Sequence, residues 1–545
     1  MNISRSSIQT RFDVVVIGGG HNGLTCACYL AKAGLSVGVF ERRSILGGAA
    51  VTEEFHPGFR NSTASYTVSL LNPKVIKDLR LAEHGLKILE RPMQNFLPMP
   101  DGRALVAGPD SARTHASVSS FSARDAERLP AYYKMLDAAV TLLRSQLLET
   151  PPADPRRLRD LWGALQMGRK FRKLDASVQR DIHELFTRSA GDLLDHWFET
   201  DAVKALYGFD AVVGSYASPY TPGSAYVLLH HVFGEVNGKA GVWGHAIGGM
   251  GAITQAMAAE ARRLGVTLET DAPVKRIVVE KGRATGIELE DGRVIQGNAI
   301  AANLGPKPLF LKLLAAADLP TEFRGRIERF RVGSATFRMN VALSELPKFI
   351  AAPRDDGGAH LGSGIILAPT LEYMDHAFAD ARLAGMSRKP IVEMLIPSTL
   401  DSSLAPKGAH VASLFCQHFS YKLPGDLDWR QEKSRAEDLI FATVESYAPN
   451  FRASILGHSS LSPLDLEEKL GLAGGDIFHG ALGLDQLWAA RPMLGYGDYR
   501  TPLKSLYLCG SGAHPGGGVT GIPGHNAARE ILRDGVTNPV SSPNS

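Results

Sequence analysis

The sequence predicts an α/β fold: a largely parallel sheet flanked by helices, with a second region of helices and mixed sheet inserted between its pieces. Three observations carry this. An apolar run over residues 12–17 enters Gly18-x-Gly20-x-x-Gly23, the next apolar run stops at Glu41, and a strand, glycine-rich loop and Ala-rich helix follow one another near the carboxy end. A strand buried on both faces needs a near-continuous apolar run. Gly18 then supplies a tight turn, Gly20 lets backbone approach a pyrophosphate, and Gly23 lets a helix pack against the sheet. Gly19, His21 and Asn22 complete the loop, with His21 read as a backbone donor position. The helix expected over 23–33 keeps Leu24, Ala27, Leu30 and Ala31 on one face and ends at Gly34. Its N-terminus offers unpaired N–H groups and positive dipole to phosphates. A strand over 36–40 follows, and Glu41 at its end stands about 20 residues beyond the glycines, where an adenosine ribose finds its acceptor. The unit is therefore a Rossmann-type dinucleotide site. Glu41 would repel a 2′-phosphate, while Arg42 and Arg43 beside it leave an opening for one.

Beyond Glu41 lies Leu46-Gly-Gly-Ala-Ala-Val-Thr52. Glu41 followed by Gly47-Gly48 resembles the FAD-binding segment of the phytoene desaturase and amine oxidase group of flavoproteins. The resemblance implies FAD rather than NAD, with the paired glycines folding a loop over the cofactor pyrophosphate. In the middle of the chain, Gly248-Gly-Met-Gly251 opens a helix over 252–264, read as a helix start near the cofactor rather than a second nucleotide loop. Strands follow over 266–270 and 274–279, and Lys281-Gly282 and Asp291-Gly292 mark hairpin turns. In the resembled group a valine at the position of Val274 holds the adenine through its backbone. Near the carboxy end a short strand over 505–509 leads into a loop containing Gly510, Ser511, His514, Gly518 and Gly521. That many glycines are tolerated where backbone must come close to a ligand. The resemblance places this loop against the ribityl chain and flavin ring, and aims the following helix at the pyrimidine edge.

Three further segments, 218–231, 476–488 and 510–518, are similar to the pyridine nucleotide-disulfide oxidoreductase domain-containing protein two family, a resemblance that spans nearly the whole chain. It implies an oxidoreductase related to phytoene desaturase. The redox disulfide in that family's name is not encoded, because Cys26, Cys28, Cys416 and Cys509 form no C-x-x-C. Neither a dithiol nor a cysteine zinc site is expected, and no metal site is assigned.

With 545 residues, 44% hydrophobic and 21% charged, the chain can bury a large core, and it is expected as two intimate domains. The FAD-binding domain is discontinuous, over 11–110, 241–306 and 478–536. The substrate domain takes 111–240, largely helical, and 307–477, where apolar runs over 335–343, 391–396 and 410–419 suit a sheet walling the substrate pocket. A net charge of +3 is too mild for a nucleic-acid partner. No apolar run approaches about 18 residues, so no spanning helix is expected. The Ser- and Arg-containing residues 1–11 faintly resemble a transit peptide. A cytoplasmic enzyme is the default expectation, mitochondrial in a eukaryote, and residues 537–545 read as a frayed end. Over 156–174, Leu158, Leu161, Trp162, Leu165 and Phe171 share one side among basic residues. Such a helix fits an anionic membrane surface, although it more often caps a domain.

The expected chemistry is hydride transfer between a small apolar substrate, polyene or acyl, and non-covalent FAD. His514 is the first catalytic candidate because its loop faces the ring, with a backbone-satisfied packing role as the bland alternative. His230 and His231 are adjacent on one helix and cannot face the same way. Arg338 and Arg491 are candidates to read a carboxylate or phosphate, against the commoner fate of ion pairing. No lysine is assigned by motif to the flavin-facing role that many amine oxidases use. An amine oxidase, and a flavin-containing regulatory or interaction protein with weak or no catalysis, remain the alternatives, and oligomeric state is left open.

Overall fold

The computed structural model describes residues 9–108, 110–154, 156–352 and 356–536; the expectations for residues 1–8 and 537–545 lie outside these. Two seven-stranded sheets organise it. In the first, Thr267–Glu269, Val37–Phe40, Arg11–Ile17 and Val294–Ala302 run parallel in that order. Val294–Ala302 then divides. Its first residues pair antiparallel with Arg283–Leu289, which pairs with Val274–Glu280, and its last pair parallel with Leu506–Leu508. Segments hundreds of residues apart thus lie side by side because each supplies a short apolar strand that buries both faces. The helix His21–Lys32 packs between Gly251–Arg263 and Ile522–Arg533. The last crossing is close: a Cβ on Gly524 would lie 2.1 Å from the Asn22 carbonyl oxygen.

The second sheet runs in the order Ile455–Leu461, Thr336–Leu343, His410–Phe419, Met386–Leu395, Gly364–Leu367, Asn95–Pro98, Ala104–Ala107. The last two strands correct the expected boundary of the first domain. Residues 11–110 do not form one piece, because Asn95–Pro98 pairs with Gly364–Leu367 and closes the edge of the substrate sheet. One face of this sheet presents Phe337, Met339, Val341 and Leu343 to the helix Trp429–Tyr447, where Ile440, Phe441 and Val444 complete a core. On the other face, ladder partners align Arg338 with Phe415 and Phe415 with Glu393. Both faces are buried along Thr336–Leu343, so the strand lacks the half-wet alternation of an ordinary antiparallel edge.

Residues 111–233 are helical, as their spacing predicts, and Ala123–Leu147, Asp201–Val212 and Ala225–Val232 share one core with Leu97, Ile366, Ile391 and Phe415 of the second sheet. The expected helix within 156–174 is Leu158–Arg172, and it stands apart from that core: Leu158 is 84% exposed and Leu161 and Trp162 are each 55% exposed. Among the described residues no helix is long and apolar enough to cross a membrane.

Candidate functional site

A cleft of about 1240 Å³, including its open mouth, lies at the ends of the parallel strands. The amino-terminal loop forms its floor. Gly18 adopts φ +92°, a left-handed conformation that side chains resist, and a Cβ on Gly23 would sit 2.1 Å from the Gly18 carbonyl oxygen. Glu41 is buried, and its Oε2 accepts from the Gly19 N–H at 2.8 Å while Oε1 accepts from Arg43 N–H at 3.0 Å. Each oxygen retains a lone pair for a ribose diol. Arg42 lines the cleft while its guanidinium reaches the Glu468 carbonyl at 3.2 Å.

The paired glycines close over this floor. Gly47 N–H donates to the Gly19 carbonyl at 2.9 Å, and Gly48 lines the cleft beside Ala49. At Gly47 φ is +133°, and a Cβ would meet Thr254 Oγ1 and the Ala50 carbonyl within 2.7 Å. Thr254 reveals what the middle segment does. Its hydroxyl donates to the Ala50 carbonyl at 2.8 Å, Gly251 N–H donates to Thr52 Oγ1, and Met250 N–H donates to Ser62 Oγ. The Gly248 to Gly251 turn is the expected helix start, and it supports the loop over the cofactor rather than lining the cleft. Val274 lines the cleft beside Ala272, whose N–H donates to the Glu41 carbonyl.

The carboxy-terminal loop joins from the other side. Ser511 lines the cleft and accepts on Oγ from Asn22 Nδ2 at 3.1 Å. His21 also lines it, and its Nε2 lies 3.2 Å from the Gly518 carbonyl. A carbonyl only accepts, so Nε2 carries the proton, and burial pulls this imidazole down to about 4. His21 is thus more than a backbone donor: it laces two glycine loops 497 residues apart. Gly510, Gly518 and Gly521 stand behind the lining. Gly510 packs on Asn303, and Gly521, at φ +74°, begins the helix Ile522–Arg533.

His514 does not line this cleft. Its ring turns to the end of the helix Ala123–Leu147, where Nε2 donates to the Gln146 carbonyl at 3.1 Å, and burial pulls it down to about 4. The bland reading of His514 is the one its contacts support. The imidazoles that do reach the cleft are His21 and His479, the latter also drawn down to about 4 by burial. His479 and Asn303 were missed from the sequence. Asn303 follows the strand Val294–Ala302 and lines the cleft, and the place of a polar residue one step past a parallel strand was the available signal. His479 lies within the 476–488 segment that carries the family resemblance, but nothing in that segment marked it as a cleft residue. The His230 and His231 rings stand at 89° to one another, both buried, with His231 Nδ1 donating to the Val227 carbonyl. Among the described residues no group of histidine, cysteine, aspartate and glutamate could hold a metal, and the four cysteines are buried and free.

Arg338 and Arg491 part company. Arg491 is fully buried and spends its donors on backbone carbonyls of Phe478, Gln486 and Ser511 at 2.6 to 3.1 Å, so it staples the loop after Asp476 to the carboxy-terminal loop. Arg338 makes one hydrogen bond, from Nη2 to Ser413 Oγ at 2.8 Å, and its Nε and Nη1 have no partner.

The fit to an adenine dinucleotide is good on this geometry: an acid for the ribose, the N-terminus of His21–Lys32 opening into the cleft, and glycine positions where a side chain would collide with neighbouring backbone. Fold and site together define a Rossmann-type dinucleotide-binding protein. The chain belongs to the flavin containing amine oxidoreductase family, whose model matches residues 23–336. It is 42% identical to pyridine nucleotide-disulfide oxidoreductase domain-containing protein 2 of Rattus norvegicus, over 97% of this chain and 94% of that protein. It is 27% identical to a lycopene-forming phytoene desaturase of Pseudescherichia vulneris, over 93% of this chain and 96% of the relative. In fold it matches putrescine oxidase with bound putrescine at a TM-score of 0.59, with 16% identity, covering 96% of this chain and 98% of that one. The cofactor is FAD, and the protein is an FAD-dependent oxidoreductase.

Proposed function

We propose that the protein oxidises or reduces a carbon–carbon bond in an elongated, largely apolar substrate, using dissociable FAD. When bound, FAD supplies the two-electron exchange. What supports an apolar substrate is the wall facing the carboxy-terminal glycine loop. A Cβ on Gly517 would lie 2.2 Å from Phe478 Cδ1, and one on Gly518 would lie 2.7 Å from Leu70 Cδ1. Phe478 belongs to a buried cluster with Tyr226, Val227, Leu482 and Leu487 at the domain boundary. Apolar walls exclude water and position hydrocarbon, and domain boundaries are where such sites occur. The name of the phytoene desaturase relative agrees with a hydrocarbon substrate. We further propose that this substrate is met at an anionic membrane surface through Leu158–Arg172, where Leu158, Leu161, Trp162 and Leu165 project outward among Arg169, Lys170 and Arg172.

The test is spectral. Purified protein should be yellow, should release its flavin on heating, and should bleach anaerobically with polyene or unsaturated acyl compounds. Hydrogen peroxide release from an amine panel would favour amine oxidation instead. Retained FAD with no turnover and a stable protein partner would favour a regulatory role.

A further inference from the structure

We propose that the substrate ends in a carboxylate, held by the Arg338 guanidinium on the inner face of the second sheet. This rests on the reading of an apolar redox substrate and adds its polar end. Arg338 is 2% exposed in the middle of Thr336–Leu343, yet Ser413 is its one hydrogen-bond partner among the described residues. Its guanidinium lies over the Tyr66 ring at 4.5 Å, and Tyr66 stacks on Phe415 with centroids 5.4 Å apart. A second buried guanidinium, that of Arg91, lies nearby against Trp243 and donates to Thr67 Oγ1. Neither forms an ion pair among the described residues, although the partly buried Arg43 and Arg500 and the exposed Arg388 do. Buried cations without a counter-ion are costly, and their donors want acceptors.

The carboxyl groups packed around this pair do not balance it. Glu393 accepts the Tyr66 hydroxyl, and Asp210, desolvated and beside Glu393, is pushed up to about 8. Burial pushes the Glu393 carboxyl up as well, so two guanidiniums face at most one charged glutamate and at least one positive charge is left unbalanced. A carboxylate supplies a negative charge at that place. Arg491 saturates its donors on backbone carbonyls, and Arg43, Arg293 and Arg529, which each leave one buried donor unpartnered, each form an ion pair; Arg338 leaves two and forms none among the described residues.

Position completes the argument. Ser65 donates from both N–H and hydroxyl to the Ala49 carbonyl at 3.0 Å, and Ala49 lines the cofactor cleft. Tyr66 is the next residue, and two places along Arg338's strand Asn340 donates to the Ser62 carbonyl at 3.0 Å. The segment 61–66 is thus a single layer between the cofactor loop and the sheet.

The experiment titrates FAD-loaded protein with laurate and with lauryl alcohol and reads the change in flavin absorbance, which needs no turnover. Laurate is expected to bind roughly tenfold or more tightly than the alcohol, since it gains a charge-assisted contact the alcohol cannot make. Arg338→Met should erase that ratio and Arg338→Lys should keep part of it. Equal binding of the two probes by the unaltered protein, or an unchanged ratio in Arg338→Met, overturns the proposal. If Arg338→Met fails to fold, the unaltered protein and Arg338→Lys decide. A protein that binds FAD and is bleached by hydrocarbons without any preference for carboxylates sinks this inference alone, whereas protein that refuses FAD sinks the functional reading beneath it.

Discussion

At the scale of single residues, the cofactor site depends on a few groups that cannot be exchanged. Glu41 combines a charge-assisted bond from Gly19 with the capacity to accept from a ribose, so Glu41→Gln should weaken FAD about tenfold or more, read by quenching of flavin fluorescence on binding. Gly23→Ala brings a Cβ against the backbone oxygen of Gly18, and because backbone cannot step aside, it should yield protein without flavin at any practical FAD concentration. The buried imidazoles set a pH dependence. His21, His479 and His514 are each held near 4 in the folded chain, while an unfolded histidine titrates near about 6.5. Between these values the unfolded state binds more protons, so stability falls as pH drops from about 6.5 toward about 4 and is flat above about 7 on their account. Urea midpoints measured from pH 7.5 down to 5 should fall, and His514→Gln, which keeps a donor for the Gln146 carbonyl, should make the decline shallower.

At the scale of elements, the helix Leu158–Arg172 is the outlier. A helix in a folded protein normally buries its apolar stripe, and this one turns Leu158, Leu161, Trp162 and Leu165 outward while burying Asp160, which accepts from the Ala153 and Asp154 N–H groups. Vesicles rich in anionic lipid should therefore carry the protein on flotation and zwitterionic vesicles should not. Trp162→Glu combined with Leu161→Glu should abolish flotation while leaving flavin content unchanged. Helix and strand placement was readable where periodicity was strong: His410–Phe419 lies where its apolar run predicted, and the helix His21–Lys32 begins two residues before the expected 23. The boundary near residue 110 was not readable. Asn95–Pro98 and Ala104–Ala107 look like any short hairpin, and their partner, Gly364–Leu367, lies more than 250 residues away.

At the scale of the whole molecule, FAD acts as a clasp. Its cleft lies where pieces from residues 17–49, 272–313, 467–479 and 511 meet, so its removal should lower the melting temperature by several degrees and reconstitution should restore it, as ligand binding to the folded state alone requires. The sequence by itself determined the Rossmann-type unit, its acid and the paired glycines, because each is a local requirement: a turn, a close approach, a strand end; FAD in place of NAD came from the family resemblance those residues carry. Only the tertiary structure decided which polar groups face the reaction. Arg338 and Arg491 are alike as letters, and so are His21 and His514. Whether such a side chain ends on a backbone carbonyl or is left with idle donors depends on neighbours brought from distant segments, which no local pattern encodes.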